Sequence, residues 1–176
     1  GGAQFAHRYA MTRPERVRRL IVAAAGWYSE CDLSFPFPQG LGGRADTSSI
    51  RSFLSIPISI AVGDRDVGRD SKLRNNHELN VRQGNCRLDR ARFWADHLVD
   101  VAAVFGIVCD VRLTLLPGIG HHFREAVERG GLAGLVGDRI SSPILSADRA
   151  SQAVETSLPR KVAAQANRII INQAMR

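Results

Sequence analysis

The sequence predicts an α/β fold with parallel strands and flanking helices, and three stretches carry that prediction. Leu20–Ala25 reads LIVAAA, Pro57–Asp66 reads PISIAVGDRD, and Leu115–Phe123 reads LLPGIGHHF. The first is apolar on both faces, and the other two are apolar runs that stop at turn residues beside acids or histidines. Continuous apolarity, rather than alternation, suits strands buried on both faces of a parallel sheet. In open α/β sheets, the loops at the carboxyl ends of the strands gather the reactive side chains. An acid on one such loop and a His on a later one are two members of a nucleophile–His–acid triad.

The elements follow in order. Gly1–Met11 is a helical run with Phe5 and Tyr9 at i and i+4, on one face. Thr12-Arg13-Pro14 ends it, and Pro14–Arg19 is a charged turn. Leu20–Ala25 is a central strand. Gly26–Arg51, with Trp27, Tyr28, an FPFP segment and several glycines, reads as a long irregular excursion. Ser52–Ile56 is a short helix or turn leading into a strand at Ile58–Val62. A long polar loop from Gly63 precedes an amphipathic helix over Arg87–Phe105, whose apolar face holds Leu88, Ala91, Trp94, Ala95, Leu98, Ala102 and Phe105. Asn85 is its expected cap and Gly106 its stop. Val111–Leu116 is the next strand and Phe123–Val136 the next helix. Beyond Ile140 the character changes: Ser141–Pro159 is polar, and Arg160–Met175 is a basic helix candidate in an appended tail.

Composition narrows the classes. A chain of 176 residues, 44% hydrophobic, is long enough for a core of its own. The net charge of +7 and pI near 10.3 invite a nucleic-acid reading. Against it, 24 basic residues include only two lysines, Lys72 and Lys161, and the arginines are scattered without interleaved aromatics. We therefore expect a solvated arginine-rich surface and no nucleic-acid partner. Cys31, Cys86 and Cys109 show no C-x-x-C spacing, which argues against a disulfide framework or a zinc site. His121-His122 lacks a third ligand nearby, so no metal is expected. No run approaches the roughly 18 apolar residues of a membrane span, and no signal peptide is visible. Unpaired cysteines point to a reducing cytoplasm.

Four segments, GGAQFAHRYA, LIVAAAGWY, GDRD and GIGHHF, occur in an order that resembles the C-terminal half of a bacterial α/β-hydrolase of the esterase or polyester-depolymerase kind. The resemblance covers about residues 1–140, leaving 141–176 as the tail. In that family the nucleophile sits in G-x-S-x-G on a tight strand-to-helix turn, followed by an alanine-rich helix. It implies that Gly1 and Gly2 close this pentapeptide, that the serine directly precedes Gly1, and that the Gly1 amide belongs to the oxyanion hole. The family's acid follows a strand as G-x-x-D, which selects Asp66, with Asp64 as the fallback and Asp70 third. Its base sits in a G-x-G-H turn, which selects His121. His122 would point elsewhere, towards substrate or solvent. Trp27 and Tyr28 either line an acyl pocket or fill the core, and His7 and His97 are packing or surface residues.

The resemblance implies a serine hydrolase of carboxylic esters with no cofactor, represented by a fragment that is inactive without its N-terminal half. The alternative is a non-catalytic binding module or degenerate hydrolase whose basic surface meets an acidic partner. The sequence assigns no oligomeric state.

Overall fold

The computed structural model describes residues 1–143, and the helix expected over Arg160–Met175 lies outside them. Three parallel strands, β1 (Leu20–Ala23), β2 (Ile58–Gly63) and β3 (Val111–Leu116), form one sheet in the order β1-β2-β3. Leu20 pairs with Ile58, and Ile58 with Val111. The expected α/β class with flanking helices is what the chain adopts.

β2 is buried at every position, as the central strand of a covered sheet must be. Its Ile58, Ile60 and Val62 enter the main core with Leu20 and Val22 of β1. Ala61 points to a smaller cluster with Leu116, Ile119, Ala126 and Leu132 on the other face. The helices supply both layers. α1 (Gly2–Thr12) packs on β1, α4 (Arg87–Val104) packs on β2 and β3, and α2 (Thr47–Leu54) packs on α1 and α4. α5 (Phe123–Glu128) and α6 (Leu132–Ser141) pack on each other. Among the described residues no helix is long and apolar enough to cross a membrane.

Four expectations are corrected. α2 begins at Thr47, inside the expected excursion, because the Asp46 carboxylate accepts the Ser49 amide at 2.8 Å and caps the helix. The polar loop after Gly63 contains α3 (His77–Gln83), capped in the same way by Asn76. α4 is capped by Cys86 rather than Asn85, its thiol accepting from the Asp89 amide at 3.5 Å. The single helix expected over Phe123–Val136 is two, since Gly131 at φ +75° lets the chain turn between them.

The segment Tyr28–Cys31 is buried yet lies outside the sheet, so its backbone needs partners from elsewhere. Side chains of three helices provide them. Gln83 accepts from the Tyr28 amide at 3.1 Å and donates to its carbonyl at 2.8 Å. His7 Nε2 accepts from the Ser29 amide at 3.0 Å, and Trp94 Nε1 donates to the Ser29 carbonyl at 2.9 Å. His97 Nε2 accepts from the Cys31 amide at 2.9 Å. The aromatic rings of His7, Tyr28 and Trp94 pack together behind this segment, with Tyr28 and Trp94 stacked at 4.6 Å.

His7 is therefore a packing residue, neutral by construction. Its Nδ1–H donates to the Ala3 carbonyl at 2.8 Å while Nε2 accepts, and burial lowers its pKa from 6.5 to about 3. Burial lowers that of His97 as well. The unfolded chain binds a proton at His7 near pH 6.5, whereas the folded chain does so only near pH 3. Stability from this site is thus complete above pH 6.5 and is lost as the pH falls towards 3, on the order of 5 kcal/mol in all. Urea midpoints should fall steeply from pH 7 to pH 4, and His7→Gln should flatten that slope. An unchanged slope would remove His7 from the account.

Candidate active site

The carboxyl ends of β2 and β3 carry the two loops of interest, and backbone hydrogen bonds lash them together. The Asp64 amide donates to the Leu116 carbonyl at 3.1 Å, and the Arg65 amide to the Ile119 carbonyl at 3.0 Å. The Asp64 carboxylate accepts from the Gly118 amide at 2.8 Å. Asp64 is thus occupied in joining the loops. This closeness requires a glycine at position 63, where a Cβ would stand 2.0 Å from the Ile119 carbonyl oxygen. Gly63→Ala should push the Gly118–His121 turn away, at a cost of about 1–3 kcal/mol in urea denaturation. An unperturbed melt would show that the turn yields freely.

Asp66 and His121, the residues selected by motif, are brought together. His121 Nδ1 lies 2.9 Å from Asp66 Oδ2, with Asp66 at 2% exposure and the His121 side chain 40% exposed. A ring held by a carboxylate at Nδ1 keeps its proton there and leaves Nε2 free to accept another. The Asp66 loop is also tied to α4 by a 3.3 Å hydrogen bond from the Leu88 amide to the Asp66 carbonyl.

One residue here escaped the sequence reading. Arg87, in the first turn of α4, is buried, and its guanidinium lies 3.5 Å from Asp66 Oδ1. It makes a two-pronged contact with Asp70, at 2.9 and 3.1 Å. These bonds hold the Asp70 carboxyl down to about 2. Asp70 is therefore engaged with Arg87 rather than with His121. A basic residue in a helix's first turn looks like an ordinary solvated charge, so no local signal marks it.

His121 lines an open cleft of about 500 Å³ together with Gly1, Gly2 and Gln4 of the α1 start, Ala24 and Gly26 after β1, Arg87 and Phe123. Ala24 holds φ +46°, a left-handed conformation strained for an L-residue, beside this cleft. Gly1 is exposed and borders the same space as His121. His122 is exposed and precedes α5 without a side-chain capping bond, and the cleft wall at this point is Phe123.

Trp27 and Tyr28, read as lining an acyl pocket or filling the core, both stand apart from this cleft. Tyr28 is wholly buried against Trp94, and burial raises its phenol pKa. Trp27 is 6% exposed and covered by the Arg8 and Arg74 guanidinium groups at 4.2 and 5.3 Å. Neither borders the cleft, because both are drawn into the packing that holds the loop after β1. The three cysteines are free, and burial raises the Cys31 thiol pKa. Among the described residues no group of three or more His, Cys, Asp or Glu is placed to hold a metal ion.

No family model matches the chain. No curated protein matches it either. Solved structures are similar to it, two of which follow. Poly(aspartic acid) hydrolase-1 from Sphingomonas sp. KT-1 aligns with a TM-score of 0.69 at 26% identity, covering 80% of this chain and 52% of that one. LpqC, a poly(3-hydroxybutyrate) depolymerase from Bordetella parapertussis, aligns with a TM-score of 0.67 at 27% identity, covering 86% and 50%. The chain spans about half the length of these structures. Its parallel α/β fold is thus one it shares with hydrolytic enzymes.

Proposed function

We propose that the chain carries the acid and the base of a serine hydrolase of the α/β-hydrolase type that acts on carboxylic esters. The observation behind this reading is the 2.9 Å contact of His121 Nδ1 with a buried Asp66, beside a cleft that the start of α1 also borders. In this reading the nucleophile is a serine immediately before Gly1. His121 Nε2 takes the serine proton as the hydroxyl oxygen attacks the ester carbonyl. Asp66 supports the imidazolium that forms, and the Gly1 amide donates to the oxyanion. The alcohol leaves with the proton from His121. Water then attacks the acyl-enzyme with His121 again as base, releasing the acid and restoring the serine.

Several features support this reading. The α1 start places the positive end of an 11-residue helix at the cleft, where a developing oxyanion is favoured. Both similar structures are named as hydrolytic enzymes, and each is about twice the length aligned here. The ester class rests on the second of them, named as a depolymerase of a polyester.

The test is the coding sequence upstream of Gly1, followed by expression of the longer chain it encodes. Gly-x-Ser leading into Gly1, with hydrolysis of p-nitrophenyl butyrate abolished when that serine is replaced by alanine, is the expected result. Cleavage of matched amides or thioesters but not esters would revise the substrate class. Any residue other than serine would overturn the triad and leave a non-catalytic binding module as the better reading.

A further inference from the structure

Arg87 stands between two carboxylates with unequal claims on it. Its fork is closed on Asp70, with Nη1 at 2.9 Å and Nη2 at 3.1 Å, while Asp66 Oδ1 is 3.5 Å from Nη1. Asp70 is itself anchored, since its Oδ1 accepts from the backbone amides of Lys72 and Leu73 at 2.8 and 2.9 Å. Asp66 is 2% exposed, and its other oxygen holds His121 at 2.9 Å. A buried guanidinium next to a buried carboxylate normally closes on it in a two-pronged pair. That pairing would compete with His121 for the carboxylate.

We propose that Asp70 is a positioning residue that holds the Arg87 fork off Asp66, so that Asp66 keeps its oxygen for His121. Arg87 brings a positive charge to 3.5 Å from Asp66 Oδ1, and Asp70 sets how close that charge comes. Asp70, the third choice for the acid by motif, thus acts on the acid through Arg87 and never touches His121. The assignment rests on the triad reading for its purpose, but its geometry can be tested without any hydrolytic activity.

The probe is the Nδ1 proton of His121, observed in the downfield proton spectrum of the chain labelled with ¹⁵N-histidine. Its resonance is assigned by its loss in His121→Gln. In the wild-type chain the hydrogen bond to Asp66 should give a slowly exchanging downfield signal. Asp70→Asn removes the charge that restrains Arg87, and the signal should be lost as the fork closes on Asp66. Asp70→Glu keeps a carboxylate and should retain it. In the double variant Asp70→Asn, Arg87→Gln the signal should return, because no guanidinium remains to capture Asp66. A purely structural role for Asp70 would give no such rescue.

A signal unchanged in Asp70→Asn would overturn the proposal. So would a double variant that melts cooperatively yet stays as depleted as the single one. Should the double variant not melt cooperatively, the contrast between Asp70→Asn and Asp70→Glu decides, with equal loss in both counting against the clamp. Absence of serine before Gly1 would sink the hydrolase reading and leave these signals as they are, so the two failures are distinguishable.

Discussion

Under the proposed serine-hydrolase reading, Asp66→Asn is expected to lower kcat for ester hydrolysis about 10⁴-fold in the longer chain, the size of loss seen when a triad acid becomes an amide. The physical reason is tautomeric. An asparagine can turn its NH₂ towards Nδ1 and move the ring proton to Nε2, so that the base presents a proton where it should accept one. Arg87 keeps Asp70 as its counter-charge in this variant, so the fold is retained and the loss falls on kcat. The informative control is Asp64→Asn. That side chain only accepts from the Gly118 amide, which an asparagine oxygen also does, so turnover should stay near wild type. Equal activity of the two variants would show that Asp66 is not the acid.

The largest expected effect on stability is at Trp94. It is completely buried, stacks on Tyr28, and lies against His7 and Phe53 at centroid distances of 5.2 and 6.5 Å. Trp94→Ala should cost about 3–5 kcal/mol through lost apolar burial and the cavity left behind. Loss of the indole donor also leaves the buried Ser29 carbonyl unpaired, at about 1–3 kcal/mol more. Domains of this size are stable by roughly 5–15 kcal/mol, so the variant should lose most of its urea resistance. Phe5→Ala, at a side chain 70% exposed, should stay within about 0.5 kcal/mol of wild type. A small shift for Trp94→Ala would mean that the core collapses onto the space the ring occupied.

Much of this architecture is legible in the residues, and the exceptions have physical causes. The strands are legible because a doubly covered strand must be apolar at every position, as β2 is. The Asp66–His121 contact is anticipated only through the resemblance of GDRD and GIGH to a family's turns, since no local period pairs two loops 55 residues apart. α3 was missed because HELNVRQ is polar almost throughout and is fixed as a helix by its Asn76 cap and by Gln83 reaching the loop after β1. The break between α5 and α6 turns on two adjacent glycines inside an otherwise helical pattern. Arg87 and the core placement of Tyr28 depend on residues far away in sequence, which no local period records.

The scaffolding of Tyr28–Cys31 has a bearing on how such chains diverge. Four side chains, His7, Gln83, Trp94 and His97, bond to main-chain atoms of that segment, so the bonds constrain those four positions and leave the segment's own side chains free of that duty. Drift among relatives should therefore be uneven. The segment's own side chains answer to other partners, Tyr28 to the Trp94 ring and Glu30 to Arg82, and so vary under constraints separate from those backbone bonds. The four supporting positions, spread over 91 residues of chain from His7 to His97, should change together or not at all, and their linked substitution would be the evolutionary trace of a loop held by proxy.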